Sequence, residues 1–408
     1  FAVIGIYCSR KYISISEYLL ANRSVKTFGL TASFVASALG SWVLFGPASA
    51  ATWGGIGAVI GYSLGTALPM FFLIFLGKSF RQKYPNGKTL VEVFRLRFGN
   101  KLYKLILLLS LFYMTIFLIA EVTAVSILIK YMSNTKLWVT SLLVISSSLI
   151  YTLYGGLRAS IFTDKIQFLF FLVLIVISYS YLISINSDIF NFSFIQKNTP
   201  SLLNINNEIN FTAGITFFLA VAATNLFHQG NWQRVYAAKN YETLRNSLII
   251  AFLFIVPIVF IFGFSGMVAK SLNSEVLPDL AFFTLIFENN IFILSFIIIV
   301  LAISLTVSSI DTLMNAISSL LIVDVTKIVK LQYDYLKLSK LFIFLLAIIT
   351  FLISSQGISI LYLFLLADLF CCAAVIPIFY GFYCKPINEK KSLFIHNSRL
   401  GSRIIIFS

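Results

Sequence analysis

The sequence predicts an all-α integral membrane bundle of about ten helices, and three observations carry that prediction. Charged residues make up 11% of the 408 residues against 59% hydrophobic, with a mean hydropathy of +0.95. A soluble domain carries about 25% charged residues, so a water-facing surface cannot be assembled here and lipid must be the solvent over most of the chain. Ten apolar stretches approach the roughly 20 residues that cross a bilayer, at 29–52, 54–77, 102–130, 137–154, 160–185, 212–230, 246–269, 292–323, 339–356 and 358–383. The basic residues collect in alternate connections between these stretches. Each stretch must be helical, because lipid offers no partner to a backbone N–H or C=O.

The connections orient the bundle. Those at 9–28, 78–104, 155–165, 231–245, 324–340 and 384–403 hold 26 of the 30 Lys and Arg residues, and the opposite side holds 4. By the positive-inside rule the loop around Arg23 and the basic segment 384–408 are expected to be cytoplasmic. The expected location is the plasma (bacterial inner) membrane. The net charge of +15 therefore belongs to loops facing lipid headgroups rather than to a nucleic-acid surface, since basic stripes interleaved with aromatics are absent. Cys8, Cys371, Cys372 and Cys384 lie in or beside apolar runs without metal-ligand spacing. Residues 1–8 read as the remnant of a leading transmembrane helix, and 384–408 as a segment cut short.

Two spans are marked for interruption. The first contains Gly40-Ser41-Trp42 and then Gly46-Pro47; the sixth carries Asn225-Leu-Phe-His-Gln-Gly230. These occupy corresponding places in two halves of five spans, 29–185 and 212–383, the second inverted by its odd span count. Broken helices at matching positions of a repeat are where secondary transporters bind their ligands.

Polar residues within lipid are costly and informative. On the eighth span Ser304, Ser308, Asp311, Asn315 and Ser318 form one stripe at spacings of three and four, with Ser309 beside it. Hydroxyls with freed carbonyls suit a hard cation, while small polar residues also hydrogen-bond between helices; spacing leaves both open. The small residues of Thr31 to Trp42 fit close helix packing or an unwound, carbonyl-donating segment equally well. His228 fits a gate, a substrate ligand, a proton carrier or a structural hydrogen bond. Glu121 and Asp368 fit a proton site, a partner for a substrate ammonium, or a pairing invisible in sequence. Asp164 and Lys165 sit at a helix entrance. No HExxH or GxSxG motif and no paired His/Cys cluster suggests an enzyme.

At these residues the chain resembles the sodium/solute symporter family, which includes sodium/proline permeases, sodium/glucose cotransporters and active urea transporters. Leu20-Ala-Asn-Arg-Ser-Val-Lys26 resembles the family's Gly-Arg-Ser signature. Tyr154-Gly-Gly-Leu-Arg158 with Phe162-Thr-Asp-Lys-Ile-Gln167 resembles its Gly-Gly…Thr-Asp-x-x-Gln motif. Asn225 to Gly230 with Gln233-Arg234 and Ala237-Ala-Lys239 resembles the sixth-helix signature, and Val307-Ser-Ser309 with Asn315-Ala-Ile-Ser318 the eighth-helix sodium motif. The resemblance covers nearly the whole chain. It implies a LeuT-type 5+5 inverted-repeat helix bundle with a partial leading helix, working as a sodium-coupled symporter of a small polar organic solute such as an amino acid or urea.

Carried over residue by residue, it implies that Na+ is held by the carbonyls of Ala36, Leu39 and Leu305 and the hydroxyls of Ser308 and Ser309. Asp164 would then stand on the sodium exit route. Solute residues would be Ser41, Trp42, Glu121, Asn225, His228 and Gln229. The partners implied are a small-molecule solute and membrane lipid, with no oligomeric state indicated. The chain departs from the family at Ala38, where proline permeases carry an aspartate, and at His228, where sugar transporters carry an aromatic gate. Proton coupling through Glu121, His228 or Asp368, and a sensor domain of a signalling protein, are the alternative readings.

Overall fold

A computed structural model describes residues 19–185, 187–287, 292–325, 328 and 335–383. The leading stub 1–8 and the basic segment 384–408 lie outside the described residues. No strand occurs among them, only an isolated bridge between Val25 and Ala238.

In chain order the helices are α1 (Thr27–Ala38), α2 (Trp42–Lys83), α3 (Leu90–Phe98), α4 (Asn100–Ser133), α5 (Leu137–Ile185), α6 (Phe192–Asn198) and α7 (Glu208–Phe227). They continue as α8 (Gln229–Ala237), α9 (Tyr241–Leu272), α10 (Ala281–Phe287), α11 (Phe292–Leu320), α12 (Tyr335–Ser354) and α13 (Ile360–Gly381). Among the described residues seven helical runs are long and apolar enough to cross a membrane, and the shorter apolar pieces include Thr27–Ala38, Leu137–Leu149 and Lys340–Ser354. Together they account for the expected spans. Outward faces carry bare apolar side chains such as Phe71, Phe75, Leu108, Leu143, Val176 and Leu253, a surface that water would not tolerate and lipid does.

The chain ends its helices with recognisable chemistry. Thr89 caps α3 by accepting from Glu92 N, while Glu92 Oε2 accepts from Lys88 N, a variant of the capping box. Asn207 and Asn240 cap α7 and α9 in the same way. Asn134, at φ 54°, closes α4 in the left-handed region. The later part of the first span, from Trp42, runs on into the second span as α2, divided at Gly55 (φ 50°, ψ −146°). A side chain there would meet the Leu202 carbonyl at 2.2 Å, so only glycine fits.

The two interruptions fall at the expected spans. The first lies at Leu39 to Ser41, between α1 and α2, and the second at His228 (φ −68°, ψ 102°), between α7 and α8. Pro47 does not break its helix: it stays inside α2, because a proline in a packed membrane helix forfeits one backbone bond that neighbours absorb. Side chains of α8 bond to carbonyls on both sides of the second break. Trp232 Nε1 donates to Leu226 O at 2.8 Å, Asn231 Nδ2 to Asn225 O at 3.1 Å and Arg234 to Gly230 O at 3.0 Å.

A third feature fixes the second span against α7. Gly57, Gly61 and Gly65 recur every fourth residue and face the α7 backbone. A methyl group on each would lie 1.9 Å from Asn210 O, 2.1 Å from Gly214 O and 2.7 Å from Phe217 O. The two helices touch backbone to backbone along a glycine seam. The connection 186–211 is also not a bare loop, since it contains α6 and a 3-10 turn at Pro200–Leu203.

Candidate functional site

The site is organised around the first break. Leu39, with ψ 84°, turns its carbonyl out of the helical direction as α1 ends, and Gly40 and Ser41 carry the chain into α2. On α11, Ser304, Ser308, Asp311, Asn315 and Ser318 are all buried, so the polar stripe faces the interior. Ser308 Oγ lies 3.5 Å from the Ala36 carbonyl and 3.2 Å from Asp164 Oδ1. Ala36 and Leu305 are fully buried beside it. Ser309 Oγ is buried without a hydrogen-bond partner. A methyl group on Gly40 would stand 2.4 Å from Ser309 Oγ and 2.2 Å from Glu121 Oε1. The hydroxyl and the carboxylate therefore close on the break from α11 and α4.

Glu121 is completely buried. Its Oε2 accepts from Ser41 N at 3.0 Å and Ser41 Oγ at 2.5 Å, while Oε1 has no partner. An orphaned hydroxyl, helix-end carbonyls and a half-satisfied carboxylate form an all-oxygen donor set, the chemistry a hard monovalent cation requires. The Ala36 carbonyl and the Ser308 and Ser309 hydroxyls thus supply oxygen donors of the kind that sodium takes.

Beside this niche Asp164 is paired with a residue that spacing did not single out. Arg234 donates to Asp164 Oδ2 at 2.9 Å, and both side chains are buried. Ser33 joins them, donating to Asp164 Oδ2 at 2.5 Å and accepting from Arg234 Nε at 2.7 Å. Arg234 also reaches Thr312 Oγ1 at 3.1 Å. Counting Arg234 as a loop charge in the basic connections hid it. The available signal was its position six residues after His228, within the same apolar surroundings.

A chamber lies next to the niche. Ser37, Ala38 and Trp42 line it from the first break, and Val221, Thr224, Asn225 and His228 from the second. Tyr62, Tyr113, Phe117, Phe364 and Asp368 complete its wall. Its volume is about 20 Å³, room for little more than one water molecule. Trp42 stacks on Tyr62 with centroids 5.7 Å apart and meets Phe364 edge-on at 6.5 Å. Phe364 meets Phe117 at 5.0 Å, and Tyr113 lies 5.8 Å from Phe117 and 6.0 Å from His228.

Of the solute residues expected from sequence, Trp42, Asn225 and His228 line this chamber. Ser41 and Glu121 lie at the break behind it. Gln229 lies elsewhere, accepting from Leu90 N at 2.9 Å and donating to Ser319 Oγ at 3.3 Å. Tyr62, Tyr113, Phe117 and Phe364 had no signal in a chain whose aromatic content is 16%.

The model of the sodium:solute symporter family matches residues 18–394. The spermidine transporter of Candida albicans is 26% identical over 385 residues, covering 92% of this chain and 71% of that protein. Sodium/myo-inositol cotransporter 2 of Bos taurus is 27% identical over 287 residues, covering 64% of this chain and 42% of the cotransporter. The sodium/proline symporter of Haemophilus influenzae is 25% identical over 240 residues, covering 56% and 47%. Among solved structures, a Na+-coupled sialic acid symporter in a substrate-bound outward-open state superposes with a TM-score of 0.73 at 19% identity, over 98% of this chain and 92% of that one. Mhp1 in its inward-facing conformation gives 0.60 at 16% identity, over 91% and 80%. The fold is thus of the LeuT type, and the chain is a multi-pass membrane transporter rather than an enzyme. With a family match spanning all but the ends of the sequence, the chain belongs to the sodium:solute symporter family.

Proposed function

We propose that this chain couples the inward movement of sodium to that of a small polar organic solute by alternating access. The observation that carries the reading is Ser309: a buried hydroxyl with no partner, beside Ser308, against the freed backbone end of α1. Leaving such a group unsatisfied costs about 1–3 kcal/mol, a cost that a bound cation removes. In this reading the carbonyls of Ala36, Leu39 and Leu305 and the hydroxyls of Ser308 and Ser309 hold the ion. Asp164, hydrogen-bonded to Ser308, receives it on the way out.

The solute occupies the chamber between Trp42, Asn225 and His228, with Ser41 and Glu121 fixing the break behind it. Gln229, tied to Leu90 and Ser319, transmits movement of α8 to the segment before α3. The two halves are 29–185 and 212–383. The protein sits in the plasma (bacterial inner) membrane with the Arg23 loop and the segment 384–408 cytoplasmic. One charge crossing 100 mV yields about 2.3 kcal/mol and a tenfold gradient about 1.4 kcal/mol. Their sum supports a solute gradient of roughly 500-fold at one-to-one coupling. For ligands to drive the switch, each must bind the outward- and inward-open states with different affinity.

The test is uptake into proteoliposomes at fixed pH with sodium replaced by potassium. Uptake is expected to fall to background; unchanged uptake would overturn sodium coupling. It would favour instead a proton carried by Glu121, whose unpartnered Oε1 is the one observation supporting that second reading.

A further inference from the structure

We infer that the chamber binds an organic cation, a primary or secondary alkylammonium held by the Asp368 carboxylate inside an aromatic box. The inference rests on the symport reading for the chamber's role, but its chemistry comes from the wall itself.

Asp368 is buried on α13, with a relative exposure of 6%, and no cationic side chain is paired with it among the described residues. Its neighbour is the hydroxyl of Thr224. Glu121 lies behind the chamber rather than on its wall, with Ser41 on Oε2 and Oε1 unpartnered, and three further buried or part-buried acids are provided for. Asp164 has Arg234 at 2.9 Å. Asp279 accepts from Ser49, Ser359 and the Ile360 backbone. Asp324 accepts from Thr89 and Tyr103. Only Asp368 places an uncompensated carboxylate on the chamber wall, and no lysine or arginine lines that wall. A buried carboxylate without a counter-charge is strongly unfavourable and either takes a proton or is balanced from outside; on a chamber wall a ligand cation can supply that balance.

The remaining wall is chosen for the same guest. Trp42, Tyr62, Tyr113, Phe117 and Phe364 surround the space, and ring faces attract ammonium groups, most strongly when water is excluded. Ser37, Thr224, Asn225 and His228 also line the wall and offer hydrogen bonds to a polar solute, so the preference for a cation rests on Asp368 and the rings. A solute bearing a carboxylate would meet Asp368 as a like charge.

The test uses the full-length transporter in detergent with sodium present, reading tryptophan fluorescence and thermal shift. Putrescine is the probe, and butanediol its uncharged counterpart. Putrescine is expected to bind and butanediol not to. Asp368→Asn should weaken putrescine roughly 10- to 150-fold, the span of a lost charge-assisted hydrogen bond, and Asp368→Glu should recover part of it. The sodium-induced thermal shift, which depends on Ser308 and Ser309, should survive in both variants and report that they are folded. Equal binding of diol and diamine, or unchanged putrescine affinity in a folded Asp368→Asn, would overturn the inference. If the variants do not fold, the wild-type comparison of diamine with diol decides alone. Putrescine binding without sodium-driven uptake in proteoliposomes would uphold the chamber's chemistry and remove the symport reading. Sodium-driven uptake of proline, glucose or urea without amine binding would do the reverse.

Discussion

Replacing Arg234 by Gln removes the centre of a buried polar cluster, and its consequence can be worked from the contacts. The guanidinium donates to Ser33, Gly230, Asp164 and Thr312. Gln reaches at most part of that set and carries no charge. Asp164 would keep Ser33 and Ser308 as donors but lose its counter-ion in a fully buried setting. Breaking a buried pair by deleting one partner costs about 3–5 kcal/mol, most of it the stranded charge. Because that penalty belongs to the survivor, adding Asp164→Asn should return much of it.

The assay is a double-mutant cycle on unfolding free energy in detergent. Arg234→Gln should be strongly destabilising, and the double variant should be more stable than Arg234→Gln alone. A single variant within about 1 kcal/mol of wild type, no worse than a surface pair, would refute the claim that this pair is buried and mutually dependent. The same cycle read on sodium affinity asks a separate question. Asp164 touches Ser308, so a stranded charge should also alter ion binding.

Three further outcomes follow from single contacts. Ser309→Ala should weaken sodium binding about tenfold while leaving unfolding unchanged or slightly improved, because it deletes an unpartnered buried hydroxyl; sodium titration of thermal stability measures both. Gly40→Ala should lower stability by about 1–3 kcal/mol, an overpacking cost, and reduce sodium affinity, since its methyl group would press on Glu121 and Ser309 together. Gln229→Leu should cost about 1–3 kcal/mol by stranding Leu90 N, without changing solute affinity in a binding titration.

Much of the fold was legible because lipid imposes simple rules. Apolar runs near bilayer length, basic connections and the glycine and polar punctuation at Gly40-Ser41 and around His228 each have a local cause. The site was legible where its residues share one helix face, as in the α11 stripe, or interrupt a helix. It was not legible where partners come from far apart. Asp324 reads as the first residue of a basic loop, yet it is buried and held by Thr89 and Tyr103, more than 200 positions away. The five rings of the chamber look like any other aromatics in the chain. Arg234 resembled a loop charge because counting charges cannot tell a headgroup contact from a buried pair. Pro47 misled in the opposite direction, since the true break at Leu39 to Ser41 was set by glycine and by the waiting Glu121 carboxylate rather than by proline.

The glycine seam at Gly57, Gly61 and Gly65 has a mechanical consequence. Helices that slide past one another do so by letting side chains change rotamer, and at these three glycines backbone meets backbone, with Tyr62 stacked on Phe217 beside them at 4.9 Å. The seam ties the part of α2 after Gly55 to α7, the run that leads into the second break, while the part that follows the first break lies before the Gly55 division. In the proposed cycle, a seam of this kind works against slippage, with one ligand crossing and the other left behind.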